Sequence, residues 1–158
     1  GTDQPDAGWL ARYSRALAAG TVPGPTAAAA RAVLGGVGGF GGADGEAGGA
    51  VRHAFAAVRA PGLEVPVAIG RVSVDLGATT GPRGTGLRVA SFTAVETDPA
   101  YRGRGFARVV MAALTEHALR AGATTALLGV EADNADALRL YAGLGFTEHH
   151  RYRYRRRA

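Results

Sequence analysis

The hydrophobic period of this chain changes near its middle, and that change restricts the folds open to it. Residues 51–58, 65–76 and 87–97 read as strands, separated by a turn at Pro61-Gly62 and a glycine-rich turn over residues 77–86. That order predicts an antiparallel meander. Residues 105–121 then carry Ala107, Val110, Met111, Leu114 and Ala118 on one helical face. Residues 124–130 predict a buried strand. Residues 134–142 predict a short helix capped by Asn134 and closed by Gly143, and residues 146–154 a last alternating strand. A meander followed by strand, helix, strand, helix and strand gives an α/β fold with a mixed sheet. Upstream, residues 9–19 have helical spacing, with Trp9, Leu10, Tyr13 and Leu17 on one side, and Gly20 with Pro23-Gly24-Pro25 ends the run. Thr26 can cap an expected alanine-rich helix reaching about Leu34, and residues 35–49 read as a glycine-rich loop.

The 158 residues suit one domain, expected to span 1–158, with 47% hydrophobic and 20% charged residues in the range of a globular core. No apolar run approaches the roughly 18 residues of a membrane span, and the polar start is not a signal peptide as it stands. Cysteine is absent, which excludes disulfides and thiolate chemistry and is compatible with the cytoplasmic location expected here. Every one of the 18 basic residues is arginine, a sign of GC-rich coding that discounts isolated Arg and Gly patterns. Arg151, Arg153, Arg155, Arg156 and Arg157 crowd the end of the chain, and the remaining arginines equal the 13 acidic residues in number. The net charge of +5 therefore belongs to the tail, and a neutral body argues against a broad nucleic-acid face.

Two glycine patterns invite a phosphate-binding reading. The first, Gly36-Val37-Gly38-Gly39-Phe40-Gly41, comes after a helix pattern and precedes more glycine, whereas a dinucleotide fingerprint needs a strand before it and a helix after it. It reads as a flexible loop. The second, Arg102-Gly103-Arg104-Gly105-Phe106-Ala107, comes after a strand broken at Asp98-Pro99 and leads into the amphipathic helix. Free N–H groups and the positive end of the dipole make a helix start a pocket for pyrophosphate. Gly103 and Gly105 let the backbone approach, and Arg102, Arg104 and Arg108 add charge. Taken alone, this element fits an ordinary tight strand-to-helix turn equally well.

The residues downstream of the turn decide between these two readings. Arg102-x-x-Gly105-x-Ala107 and Asn134-x-x-Ala137-x-x-Leu140-Tyr141-x-x-Leu144-Gly145-Phe146, at their separation, resemble the two signatures of the GNAT N-acetyltransferase superfamily. The match is close from Val95 to Phe146, and the closing run over residues 148–155 resembles the C-terminal domain of bacterial two-domain GNAT proteins. The fold implied is a mixed, mainly antiparallel sheet flanked by helices. Relatives normally open with a strand before the first helix, so the natural product is expected to extend upstream with a second GNAT-like domain, or to cover that sheet edge with a second copy.

The resemblance implies direct acetyl transfer from the cosubstrate acetyl-CoA to a small-molecule or peptide amine. Backbone groups of Val95, Glu96 and Thr97 would pair with the pantetheine arm and acetyl carbonyl like an added strand. Gly103, Arg104, Gly105, Phe106, Ala107 and Arg108 would hold the pyrophosphate, with Arg102 beside them, and Asn134 would lie near the pantetheine. Tyr141, two helical turns after Asn134, would be the general acid for the departing thiolate. Many relatives carry a catalytic Glu where this chain has Gly129. Glu131, on the same strand face by alternation, and Glu96, beside the acetyl position, are candidate bases. A water chain or an amine arriving neutral would serve as well. His117 is expected to be exposed, and His149-His150 to point to opposite strand faces, so no metal is expected. The alternative is a degenerate GNAT domain binding CoA in a structural or regulatory role; DNA binding by the Arg/Tyr tail is a weaker third. No partner membrane or nucleic acid is expected.

Overall fold

The computed structural model describes residues 4–18, 51–76 and 87–152. The expected alanine-rich helix, both glycine-rich stretches over 35–49 and 77–86, and the last residues of the arginine tail lie outside them. The described residues fall into two compact units, Gly1–Leu128 and Gly129–Ala158.

The first unit holds helix α1 (Ala7–Ala18), strands β1 (Val51–Val58), β2 (Ala68–Asp75) and β3 (Val89–Thr97), a 3-10 turn (Pro99–Tyr101), helix α2 (Phe106–Arg120) and strand β4 (Thr125–Leu128). The sheet order is β1-β2-β3-β4, antiparallel except for the parallel pair β3/β4. The mixed, mainly antiparallel sheet expected from the chain is therefore present. The parallel pair arises from connectivity, because helix α2 carries the chain back across the sheet between two strands of the same direction.

Strand β2 is the spine of the core, and Ala68, Ile69, Gly70, Arg71 and Val72 are all buried. Helix α1 lies against the face that carries Phe55 and Ile69. Trp9 meets the Phe55 ring edge-on at 5.2 Å, and its indole N–H donates to the carbonyls of Ala56 (3.1 Å) and Gly70 (3.3 Å). The indole thereby buries its area without stranding its polar atom. Helix α2 turns Val110, Met111, Leu114 and Ala118 inward, as its periodicity predicts. At Gly70 it comes so near that a Cβ would stand 2.6 Å from Val110 Cγ1 and 3.0 Å from Leu114 Cδ1. Each of Trp9, Ile69, Met111 and Leu114, fully buried, contributes roughly 1.5–3 kcal/mol.

Strand β4 departs from expectation. It covers four residues where the apolar run predicts seven, and Leu127 is 50% exposed. An apolar run marks burial only when something packs on both faces, which the run itself does not encode.

In the second unit, helix α3 (Ala135–Ala142) begins where expected: Asn134 Oδ1 accepts the Ala137 N–H at 3.1 Å. Gly143 comes after the helix in a right-handed conformation, and the left-handed glycine is Gly145, at φ 90°. The last strand, expected over residues 146–154, is a correction: residues 146–152 form no strand, and the rest of that run lies outside the described residues.

Candidate active site

The site in the first unit grows from one irregularity in β3. Between Ile69↔Glu96 and Arg71↔Thr93 the partner strands advance by two and three residues respectively, so β3 carries a bulge. Ala94 takes the strain, at φ 53°, a conformation uncommon for a residue with a Cβ. Pairing with β4 ends just before it, at Phe92↔Leu128. From Thr93 to Thr97 one edge of β3 has no described strand beside it, the arrangement an extended ligand needs in order to add as a strand. Val95, Glu96 and Thr97 lie on this stretch, all partly buried.

Beyond β3 the chain is steered into α2. Asp98 Oδ1 accepts the Ala100 N–H at 2.9 Å and caps the 3-10 turn, with Pro99 at its start. Gly103 (φ 74°) and Gly105 (φ 80°) then adopt left-handed conformations, where glycine is favoured. A Cβ built on either meets nothing within 4 Å, so the backbone here faces open space. Gly105 is the N-cap of α2 and offers no side-chain acceptor, and the first turn holds no acid. The first intrahelical bond is Val109 N–H to the Gly105 carbonyl (3.2 Å), which leaves the N–H groups of Phe106, Ala107 and Arg108 without helix partners. Arg102 Nε donates to the Thr97 carbonyl at 3.4 Å, linking the turn to the open edge, and the Arg104 guanidinium sits 5.1 Å over the Tyr101 ring. Uncapped donors, a positive dipole end and three exposed arginines are the chemistry that receives a diphosphate.

Glu96 is half-buried. Burial raises its pKa above the ordinary glutamate value, Arg12 and Arg102 oppose that rise, and Asp98 adds to it. Tyr13 on α1 is raised as well, chiefly by burial, with Arg71 lowering and Glu96 raising it, so its phenol lies in the field of both. A cavity of about 250 Å³ bordered by Trp9, Phe55 and Arg59 includes none of the candidate coenzyme residues.

The second unit carries the remaining candidates. Tyr141 is partly buried, its ring edge-on to Phe146 at 6.0 Å, and burial raises its pKa, so the phenol holds its proton at neutral pH. Glu131 is exposed and beyond the end of β4, so the strand alternation that would place it on the face of Gly129 does not apply. His149 and His150 likewise lack a strand to separate them, and their Nδ1 atoms are 3.0 Å apart. His117 is partly buried, with Nε2 enclosed and unbonded, contrary to the exposure expected of it. Sequence patterns give no sign of a role for Tyr13 or of the Ala94 bulge. Arg12 alone leaves a trace, as a charge on the face of α1 that carries Trp9.

A sheet split at a bulge beside a glycine-led helix start defines a GNAT-type acetyltransferase fold. Within that class the chain belongs to the family described as "Probable histone acetyltransferase Rv0428c C-terminal", which matches residues 2–155. It is 44% identical over 73 residues to a mycothiol acetyltransferase of a Nocardioides species, a match covering 46% of this chain and 24% of that protein. Its fold is similar to that of ribosomal-protein-alanine N-acetyltransferase from Brucella melitensis biovar Abortus, with TM-score 0.62, 17% identity, and coverage of 93% of this chain and 92% of the other. It is also similar to aminoglycoside N-acetyltransferase AAC(6')-Iy, solved in complex with CoA, with TM-score 0.51, 20% identity, and coverage of 68% and 76%. Among the described residues no helix is long and apolar enough to cross a membrane.

Proposed function

We propose that the chain transfers an acetyl group from acetyl-CoA directly to an amine. The observation that carries this reading is the pair of left-handed glycines opening α2 next to the free edge of β3. Backbone donors from Gly103 to Arg108 hold the diphosphate, with Arg102, Arg104 and Arg108 completing its neutralisation. The edge at Val95, Glu96 and Thr97 pairs with the pantetheine arm, and Asn134 contributes to coenzyme binding by the resemblance. The solved aminoglycoside acetyltransferase of similar fold, in complex with CoA, supports the choice of coenzyme.

Acetyl-CoA supplies the acyl group as a thioester. Glu96, with its raised pKa, takes the proton from the acceptor ammonium, a task suited to a carboxylate shifted toward neutrality. The amine nitrogen bonds to the acetyl carbon as the carbon–sulfur bond breaks. Tyr141, assigned on the resemblance, gives its proton to the thiolate and is reprotonated from solvent, while the new amide nitrogen sheds its second proton to solvent. Glu131, exposed and outside a strand, is the weaker candidate base.

A second reading has its own support: with glycine at position 129 and Glu131 solvent-exposed, a domain that binds CoA without turnover fits the same cradle. Acetylation of an amine panel, monitored alongside the shift in melting temperature caused by CoA, separates the two. The enzyme reading expects both signals. The binding reading expects the shift alone, and a protein that ignores CoA overturns both.

A further inference from the structure

We propose that Arg71 binds the anionic group of the acceptor, so that the amine acetylated by this chain carries a carboxylate; the substrate class rests on the acetyl-transfer reading above. Arg71 lies mid-way along β2, is only 8% exposed, and its guanidinium stands 5.8 Å over the Phe55 ring. Its NH2 donates to His53 Nδ1 at 3.0 Å, and its Nε is buried with no hydrogen-bond partner. No carboxylate of a described residue forms an ion pair with it. Arginine does not give up its proton, and a buried charge without a counter-charge is strongly penalised.

The same chain shows how it treats a buried arginine that only holds structure. Arg12 is given the Asp98 carboxylate and, through Nε, the Pro66 carbonyl at 2.9 Å. Among the described residues Arg71 is given neither, and its unbonded Nε–H remains available for an anion brought from outside.

The position suits an acceptor. Arg71 is directly opposite Thr93, which is exposed and immediately precedes the Ala94 bulge. Glu96 is three residues further along β3, opposite Ile69, and the Phe55–Ile69 face beneath them carries α1. The groups around the guanidinium set the charge of the ligand. His53, which also contacts Ser73 Oγ at 2.9 Å, is kept neutral by burial and by Arg71 itself, and Tyr13 is kept protonated by burial. With Arg12 neutralised by Asp98 and Glu96 facing the acceptor ammonium, Arg71 is the uncompensated cation among the described residues of this face, which fits a monoanion better than a dianionic phosphate. A planar carboxylate also matches the guanidinium fork. Glu96 on one side and Arg71 on the other complement an acceptor whose ammonium and carboxylate are a few bonds apart, as in an amino acid.

The test pairs each standard L-amino acid with its carboxamide as acceptors, in the parent protein, Arg71→Met and Arg71→Lys, with binding read from melting temperature in the presence of CoA. The expected parent kcat/KM favours the carboxylate by roughly tenfold to a hundredfold, the worth of a charge-assisted pair of hydrogen bonds. Arg71→Met should bring that ratio toward one while the KM for acetyl-CoA stays put, and Arg71→Lys should retain part of it. Should the methionine variant fail to fold, Thr93→Asp provides a carboxylate from the facing strand and should suppress the preference by occupying Arg71. If no amine is acetylated at all, the transfer reading fails, yet a carboxylate-dependent melting shift lost in Arg71→Met would still uphold the anion site. A parent that treats acids and amides alike in both rate and melting shift overturns the proposal, as does an Arg71→Met variant that keeps the preference.

Discussion

Arg12 on α1 and Asp98 at the end of β3, 86 residues apart in the chain, form an ion pair whose arginine side chain is 6% exposed and whose aspartate is 25% exposed. The aspartate also caps the 3-10 turn through Ala100, so a single carboxylate joins the first helix to the approach of the glycine turn. Asp98→Ala would leave Arg12 buried without its counter-charge. Losing one partner of a buried pair costs about 3–5 kcal/mol, and the partial exposure of Asp98 reduces the expected loss to about 2–3 kcal/mol. Urea unfolding of Asp98→Ala, Arg12→Met and the double variant measures this. The double variant is expected to be more stable than the sum of the single losses predicts, because neither charge is stranded.

The proposed coenzyme site is tested at the left-handed glycine before α2. CoA should raise the melting temperature of the parent, since a ligand bound only to the native state stabilises it by mass action. Gly105→Glu should abolish that shift by placing a negative side chain in the open space before the helix start. Backbone strain is controlled by Gly105→Asn, because Asn tolerates the left-handed region better than other residues with a Cβ. The Asn variant should fold and retain part of the CoA response. A Gly105→Glu protein that responds like the parent would locate the cradle elsewhere.

Glu96 gives a pH dependence whose sign is set by its burial. Its folded-state pKa is raised, so the native protein binds that proton more tightly than the unfolded chain. The corresponding stability is fully present below the ordinary glutamate value and is lost as pH rises to the raised one. Glu96→Gln should remove that loss, so the stability difference between variant and parent grows in favour of the variant across this window and levels off above the raised value. Denaturation at a series of pH values measures the difference. The acid limb of the parent's kcat/KM should lie above the ordinary glutamate value and be absent from the variant.

Tyr141→Phe should lower kcat toward the small end of the roughly 10²–10⁴-fold range for general acids, because a thiolate leaves fairly well unaided. Affinity for CoA should barely change, since the ring against Phe146 is kept and only the hydroxyl is lost. Turnover reduced with binding intact marks a contact made in the transition state. Steady-state acetylation and CoA titration of both proteins check this, and parental turnover in the variant would make Tyr141 a packing residue.

Much of this protein is legible in local patterns. The apolar stripe Val110, Met111, Leu114 and Ala118, the glycine start of α2 and the Asn134 cap all agree with their patterns, because helical periodicity and capping act within one or two turns of the chain. Strand β1 also agrees to the residue, its run ending just before the Pro61-Gly62 turn. Residues 146–152 and 129–130 mislead, because alternation and apolar runs show that a strand would have a face to bury without showing that a neighbour is there to pair with it. The Ala94 bulge, the Arg12–Asp98 pair and the enclosure of Arg71 belong to the tertiary structure alone. Each depends on which residue of one strand or helix stands opposite which residue of another, and that register is decided by packing of the whole sheet against α1 and α2. The sequence by itself determined where helix α2 begins and what lies on its inner face. Only the folded sheet decided which carboxylate is shifted, which arginine is compensated, and which is left with donors to spare.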